Sequence, residues 1–214
     1  MDLLIILSIG MILTSLAVFG LRNYQLSILV YALQTSLLVL IFLTLADRYE
    51  AHQLFNWVII AVITKVILVP YILLRLRRKL NITSEIEPVA GFFVSPIIAM
   101  GFSLATAMSI YPIYLKFSLI KEEIPLIASI TVFMMGIFGF ILRKSAMKQI
   151  LAFCMFENGI HLSLAIMAYN SPEIVEIGVL TDAIFAVLIM SVLATRFYKY
   201  FGSLDVSKAN TLKG

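Results

Sequence analysis

Five polar side chains that can carry or pass a proton lie inside long apolar stretches of this 214-residue chain. Lys65, Glu157 and Asp182 are ionisable, and His161 follows Glu157 at i+4, which places the two on one face of a helix. Gln34 can donate and accept hydrogen bonds but does not titrate. A charge at the centre of a bilayer costs about 2.5–3.5 kcal/mol on insertion scales, so such residues are rare unless they have a function. The chemistry that these residue types support is a proton relay.

The same residues have structural interpretations, which the sequence leaves open. Lys65 could be a fixed counter-ion to Glu157 or Asp182, and the two acids could hold polar groups of a neighbouring subunit. His161 is more readily a hydrogen-bonded polar residue than a metal ligand. The chain has two histidines and one cysteine, too few for a credible zinc or iron–sulfur site. We therefore predict no metal site in this chain.

The apolar stretches that position these residues predict a membrane protein. The chain is 62% hydrophobic and 13% charged, whereas soluble domains have about 45–50% apolar and about 25% charged residues. A spanning helix needs about 20 apolar residues, and lipid offers no partner to a free backbone N–H or C=O group. The predicted fold is therefore all-α, polytopic, with about seven transmembrane helices. The predicted spans are Leu3–Gly20, Tyr24–Ala46, Leu54–Leu74, Val89–Leu115, Ile124–Leu142, Ala146–Tyr169 and Ile174–Thr195.

The distribution of basic residues predicts the orientation. Of the 16 Lys and Arg residues, 12 fall on one side of the predicted spans, 3 fall on the other, and Lys65 is inside a span. Because basic residues collect on the cytoplasmic side, we expect the N-terminus outside and the C-terminus in the cytoplasm. The expected location is the cytoplasmic (inner) membrane. Topology thus accounts for the net charge of +4, and no nucleic-acid partner is implied.

The fourth span carries a pattern of small residues. Ser95, Ala99, Ser103 and Ala107 recur at every fourth position, which predicts a close helix–helix contact along one face. Two prolines in this span predict a tilted or kinked helix.

Spans one to three and five to seven follow a common plan. The second span of each unit has a polar residue at mid-depth, Gln34 or Glu157, and the third has a charge, Lys65 or Asp182. This arrangement predicts a parallel duplication of a three-helix unit, as some transporters show. The predicted division is an N-terminal unit at 1–80, a connector with the fourth helix at 81–122 and a C-terminal unit with a tail at 123–214.

Four segments resemble hydrogenase-4 component E, a membrane subunit of formate hydrogenlyase-type complexes. They are Ile63–Pro70, Met155–Leu162, Pro172–Val187 and the tail Gly202–Gly214. The last three helices are also similar to complex I chain 4L and to the corresponding subunit of multisubunit Na+/H+ antiporters. In those families two spans each carry an embedded glutamate. Glu157 falls where the first one falls, and Asp182 falls near the second.

The resemblance implies a subunit of the membrane arm of an energy-converting [NiFe] hydrogenase. The implied partners are antiporter-like membrane subunits, a subunit similar to the heel of complex I, and [NiFe] hydrogenase and iron–sulfur subunits, with membrane lipid around them. The metal centres would belong to those partners, and this chain would bind no cofactor and have no active site of its own. It would contribute Glu157, Asp182, Lys65, His161 and Gln34 to a proton or ion path and link neighbouring subunits. The alternatives are a subunit of a Na+/H+ antiporter without redox partners, or a passive structural subunit.

Overall fold

Seven long helices form the molecule in the described part of the chain. The computed structural model describes residues 2–170 and 173–211, with side chains outside 173–183 and 210–211. All seven helices are long and apolar enough to cross a membrane, which confirms the predicted fold. They are α1 (Leu3–Gly20), α2 (Tyr24–Arg48), α3 (Gln53–Leu80), α4 (Gly91–Phe117), α5 (Glu123–Leu142), α6 (Ala146–Ala168) and α7 (Glu173–Phe201), followed by a short 3-10 helix at Val206–Thr211.

Helix α3 extends six residues past the predicted end of its span at Leu74. Hydropathy marks where the apolar surface ends, and the last turns of α3 are basic and amphipathic instead. The helix ends where Asn81 adopts the left-handed conformation with a φ of 52°. This is a common way for a helix to stop, and asparagine tolerates it better than most residues do.

The middle of α3 is wound as a π-helix over Val62–Leu68. The hydroxyl of Thr64 donates to the carbonyl four residues earlier at 2.8 Å. Pro70 has no N–H group to offer to the preceding turn, so the regular α-helical ladder is interrupted there. The N–H of Val69 bonds the carbonyl of Thr64, five residues back. Such single-turn insertions are frequent at functional sites, and this one carries the buried Lys65.

Helices α5 and α6 approach each other so closely that glycine is required at the contact. A Cβ atom added at Gly136 would lie 2.6 Å from the backbone of Phe156. One added at Gly159 would lie 2.5 Å from the backbone nitrogen of Phe133. The rings of Phe133 and Phe156 pack with their centroids 4.7 Å apart. This contact fixes the central turns of α6, where Glu157 is located.

Helix α4 packs on α5 and α1 through the small residues predicted from the sequence. Ser95, Ala99, Ser103 and Ala107 are all fully buried, which confirms the predicted contact face. The opposite side of the helix is apolar and exposed, as a surface facing lipid would be; Phe93, for example, is 83% exposed. The helix is continuous through its two prolines.

The same kind of backbone contact occurs in both three-helix units. In each unit, the turn between the first and second helix pairs with the chain that follows the third. Asn23 bridges Ser84 in the first unit, and Ser145 bridges Asp205 in the second, both antiparallel. The duplication itself stays a prediction, and this shared contact is the feature that a duplication would produce.

Candidate functional site

The candidate site is a group of buried polar side chains at mid-depth, which we call the central polar cluster. It joins α1, α2, α3 and α6. The side chain of Asp182 lies outside the described residues, and the other four side chains predicted from the sequence meet in this cluster. The members of the cluster are Ser15, Gln34, Thr35, Lys65, Glu157, Asn158 and His161.

Lys65 is the centre of the cluster and is 1% exposed. Its Nζ lies 2.7 Å from Nδ1 of His161 and donates to Oδ1 of Asn158 at 3.3 Å. It is also 4.0 Å from Oε2 of Glu157. The lysine of the first unit therefore faces an acid of the second, which was one of the pairings left open by the sequence.

The Nδ1 atom of His161 lies between a donor and an acceptor. It is 2.7 Å from Lys65 Nζ and 2.8 Å from the backbone carbonyl oxygen of Glu157. A neutral Nδ1 accepts a hydrogen bond from the ammonium group, and a protonated Nδ1 donates to the carbonyl. Transfer of one proton from Nζ to Nδ1 thus exchanges one hydrogen bond for the other.

A chain of neutral groups leads away from Lys65 toward α1. The side-chain amide of Asn158 donates to Oε1 of Gln34 at 3.4 Å and to Oγ1 of Thr35 at 3.1 Å. The amide nitrogen of Gln34 donates to the hydroxyl of Ser15. The Ser15 hydroxyl donates in turn to the carbonyl of its own helix four residues earlier, at 2.7 Å. Four helices are therefore linked by one buried hydrogen-bond network.

Sequence reasoning missed three members of this network: Asn158, Thr35 and Ser15. Ionisable groups are the clearest signal in such a sequence, because a charge in the membrane is the most costly feature there. A buried amide without a partner is also costly, so Asn158 beside Glu157 was a usable signal. Small hydroxyl residues carry little signal, since they can bond their own helix backbone.

A second buried ionic group lies at the start of α6, near the end of α1. We call it the connector triad: Glu85, Arg143 and Lys148, exposed by 7%, 2% and 2%. Arg143 Nη1 lies 3.0 Å from Glu85 Oε2, and Lys148 Nζ lies 3.9 Å from the same oxygen. The guanidinium of Arg143 also stacks over the ring of Phe19 at 4.2 Å. By sequence, the two cations are among the 12 basic residues on the predicted cytoplasmic side. They are instead buried, because the connector brings an acid to them.

Lys148 is bonded mainly to groups that cannot change their charge. Its Nζ donates to the carbonyl oxygens of Val18 at 2.7 Å and Leu21 at 2.6 Å, and to the hydroxyl of Ser27 at 2.8 Å. These carbonyls belong to the last turn of α1 and its cap, which have no partner within the helix. Lys148 therefore completes the end of α1. Burial raises the pKa of the Glu85 carboxyl, and the nearby Lys148 and Arg143 oppose that shift.

Ion pairs at the opposite end of the helices are exposed. Arg48 Nη1 bonds Asp2 Oδ2 at 2.6 Å, and this hydrogen bond lowers the pKa of Asp2. The hydroxyl of Tyr49 donates to Glu122 at 2.6 Å. Burial, with Glu122 nearby, raises the pKa of Tyr49 to about 12.

Comparison with known proteins defines the class first. Residues 124–214, which run from the second residue of α5 to Gly214, match the family model of NADH-ubiquinone/plastoquinone oxidoreductase chain 4L. This match covers less than half of the chain, and together with the seven helices it makes the last three helices similar to a membrane subunit of complex I.

Whole-length relatives give the family. Hydrogenase-4 component E of Escherichia coli (strain K12) is 37% identical over 204 residues, covering 95% of this chain and 94% of that protein. The Shigella flexneri protein of the same name matches to the same extent. The chain belongs to the hydrogenase-4 component E family. It is thus a membrane subunit of a hydrogenase or complex I-like assembly. An uncharacterized protein of Mycobacterium tuberculosis, Rv0085, is 25% identical over 95% of this chain and 93% of its own length. No solved structure matches the chain.

Proposed function

We propose that this subunit contributes protonatable residues to a proton path in the membrane arm of an energy-converting [NiFe] hydrogenase. Glu157, Lys65 and His161 carry the proton, Gln34 supports the network, and Asp182 continues the path on α7. The single observation that supports this most strongly is the position of Lys65 Nζ, 2.7 Å from His161 Nδ1 and 4.0 Å from Glu157 Oε2. Three groups that can each gain or lose a proton meet there, at mid-depth of the helices.

The geometry supports a short transfer step. Lys65 gives its proton to Nδ1 of His161. The protonated Nδ1 then donates a hydrogen bond to the backbone carbonyl oxygen of Glu157, which is 2.8 Å away. The Glu157 carboxylate stabilises a positive charge on either nitrogen, since it is close to Lys65 and one helical turn from His161. Asn158 holds Lys65 in place through a hydrogen bond of 3.3 Å. The proton therefore moves between heavy atoms that are already within hydrogen-bond distance.

The proposed setting follows from the family. The [NiFe] centre and iron–sulfur clusters belong to partner subunits, and antiporter-like and heel-like membrane subunits are the lateral neighbours that this chain links. The proposed location is the cytoplasmic (inner) membrane with the C-terminus in the cytoplasm.

The test is Glu157→Gln in the complete complex, with hydrogen evolution and proton uptake measured in parallel in inverted membrane vesicles. We expect proton uptake per hydrogen molecule to fall on the order of tenfold or more, since a positioned proton-transfer group contributes at least that much. Glu87→Gln is the matched control, because Glu87 is exposed in the connector.

Three other results point to the alternatives. Loss of the assembled complex in Glu157→Gln would show that the acid cements the subunits. Unchanged uptake per hydrogen molecule in a stable complex would support a passive structural subunit. Purification of the wild-type complex without hydrogenase or iron–sulfur subunits would instead support an antiporter assembly.

A further inference from the structure

A groove of about 720 Å³ lies between the second half of α3 and the end of α7. The two helices run in the same direction, so their basic ends lie on the same side of the membrane. Arg75 and Lys79 line the groove from α3, and Arg196 and Lys199 line it from α7. All four side chains are exposed. We call this site the basic groove.

The four cations are not neutralised by the described part of the chain. None of the residues that line the groove is acidic, and no ion pair of these four cations occurs among the described residues. Three other cations behave differently: Arg143 and Lys148 share Glu85, and Arg48 has two acids within 4 Å. Four like charges around one concave surface create a strong positive potential, which favours a bound anion.

Apart from Ser191 and Thr195, the rest of the groove is apolar, and it continues toward the middle of the two helices. Tyr71, Leu188 and Val192 line it and are 59%, 43% and 55% exposed. Within this part of the groove, between Leu188 and Val192 on α7, lies Ser191, which is 8% exposed and whose hydroxyl has no hydrogen-bond partner among the described residues. An occupant that satisfies the whole groove therefore has an anionic head, a group that accepts a hydrogen bond, and long apolar chains.

We propose that the basic groove binds an anionic phospholipid with two phosphates, of the diphosphatidylglycerol class. One phosphate sits between the cations of each helix, the ester oxygens reach Ser191, and the acyl chains cover the apolar wall. Basic pockets between transmembrane helices suit such headgroups. An acidic segment of a partner protein matches the cations but leaves the apolar wall open to other lipids, so the lipid fits better. This inference does not depend on the proposed proton path.

The test is native mass spectrometry of the complete complex, purified in mild detergent, stripped of lipid and titrated with tetraoleoyl diphosphatidylglycerol. The test variant is Arg75→Gln/Arg196→Gln, which removes one cation from each wall. The control Arg78→Gln/Lys144→Gln removes two cations that do not line the groove. We expect lipid binding to weaken on the order of tenfold in the test variant, because each surface cation contributes appreciably to anionic-lipid binding. The control should bind as the wild type does.

A charge-conserving variant keeps the test informative if the glutamine variant assembles poorly. Arg75→Lys/Arg196→Lys should retain most of the binding. Equal binding in all variants would overturn the proposal. So would equally tight binding of inorganic pyrophosphate alone, since the site would then be an anion site without lipid specificity. A crosslink from the groove to an acidic segment of a partner subunit in the lipid-depleted wild-type complex would overturn it in favour of a protein occupant.

Discussion

The central polar cluster and the connector triad each bury a lysine on or against α6, yet the two lysines have different partners. Lys65 is 1% exposed and Lys148 is 2% exposed. Lys148 donates to two backbone carbonyls and a hydroxyl, which stay uncharged at any physiological pH. Lys65 faces His161 and Glu157, both of which can change their protonation state.

This difference separates a structural charge from a movable one. When a buried cation is removed, its partners must tolerate the loss. Carbonyl oxygens cannot adapt and are left unsatisfied, at a cost of about 1–3 kcal/mol each. A carboxylate can take up a proton and become neutral instead. We therefore expect replacement of Lys148 to act mainly on stability and the same replacement of Lys65 to act mainly on proton transfer.

The largest effect is expected for Lys148→Met. It leaves the end of α1 without its hydrogen-bond donors and removes a cation near Glu85. We expect the free energy of unfolding to fall by about 3–5 kcal/mol, as for breaking a buried ion pair. The measurement is denaturant unfolding of the purified complex, with the amount of assembled complex in membranes as a second readout.

The control for this change is Lys144→Met, which removes a cation four residues earlier without a described side-chain bond. It should unfold as the wild type does. Equal loss of stability in both variants would show that general charge, and not the bonds to α1, accounts for the effect.

The next largest effect is expected for Gly159→Ala, beside the central polar cluster. The new Cβ atom would meet the backbone of Phe133 at 2.5 Å, and overpacking of this kind costs roughly 1–3 kcal/mol. Thermal unfolding should occur several degrees lower. Gly101→Ala is the control, because a Cβ there meets nothing within 4 Å. If the two alanine variants unfold at the same temperature, the close approach of α5 and α6 does not set the thermal stability.

Lys65→Met should act mainly on function. We expect proton uptake per hydrogen molecule to fall on the order of tenfold, with a much smaller loss of stability than in Lys148→Met. Vesicle uptake assays and unfolding of the same preparation test both parts. If Lys65→Met lowers the free energy of unfolding as much as Lys148→Met does, the two lysines do not differ in role.

A smaller effect concerns pH and Glu85. Because burial raises the pKa of Glu85 above its ordinary 4.5, the folded state binds a proton more readily than the unfolded state. The stabilisation from that proton is complete below pH 4.5 and is lost as the pH rises through the raised pKa. The difference in unfolding midpoint between wild type and Glu85→Gln should therefore change over that window and be constant above it. A constant difference at all pH values would show that the pKa of Glu85 is not raised in the folded state.

The smallest effect is expected for Asp2→Asn. The Asp2–Arg48 bond is 2.6 Å long, shorter than any ion pair of the connector triad, but both side chains are exposed by 40% or more. Water screens such pairs, so their net contribution is small. We expect no measurable change in thermal unfolding. A clear loss would show that this end of the bundle is less hydrated than its exposure indicates.

The helices were predictable because lipid imposes a simple rule on composition and length. The predicted first span has the same ends as α1, and the α6 prediction differs by one residue. The end of α3 was missed because it depends on Asn81 and not on hydropathy. The π-helical turn was missed because its cause, the combination of Thr64 and Pro70, is local and common in ordinary helices.

The site was only partly predictable. Ionisable residues stand out in an apolar sequence, and four of them were singled out: Lys65, Glu157, His161 and Asp182. The side chain of Asp182 lies outside the described residues. Which groups touch could not be derived, because it depends on how α2, α3 and α6 pack. The connector triad shows the limit most clearly. Positive-inside reasoning treats Arg143 and Lys148 as two solvated charges, whereas the tertiary fold brings Glu85 to them.

The π-helical turn of α3 has a consequence at a distance. One extra residue in a helix rotates everything after it by about 100° relative to a regular helix. The insertion at Val62–Leu68 lies between Trp57, buried in the first part of α3, and Arg75, which faces α7. Deleting a single residue there would restore a uniform helix but turn one half of α3 out of register with its neighbours. The number of residues between the two halves of this helix is therefore fixed by the neighbours that each half contacts.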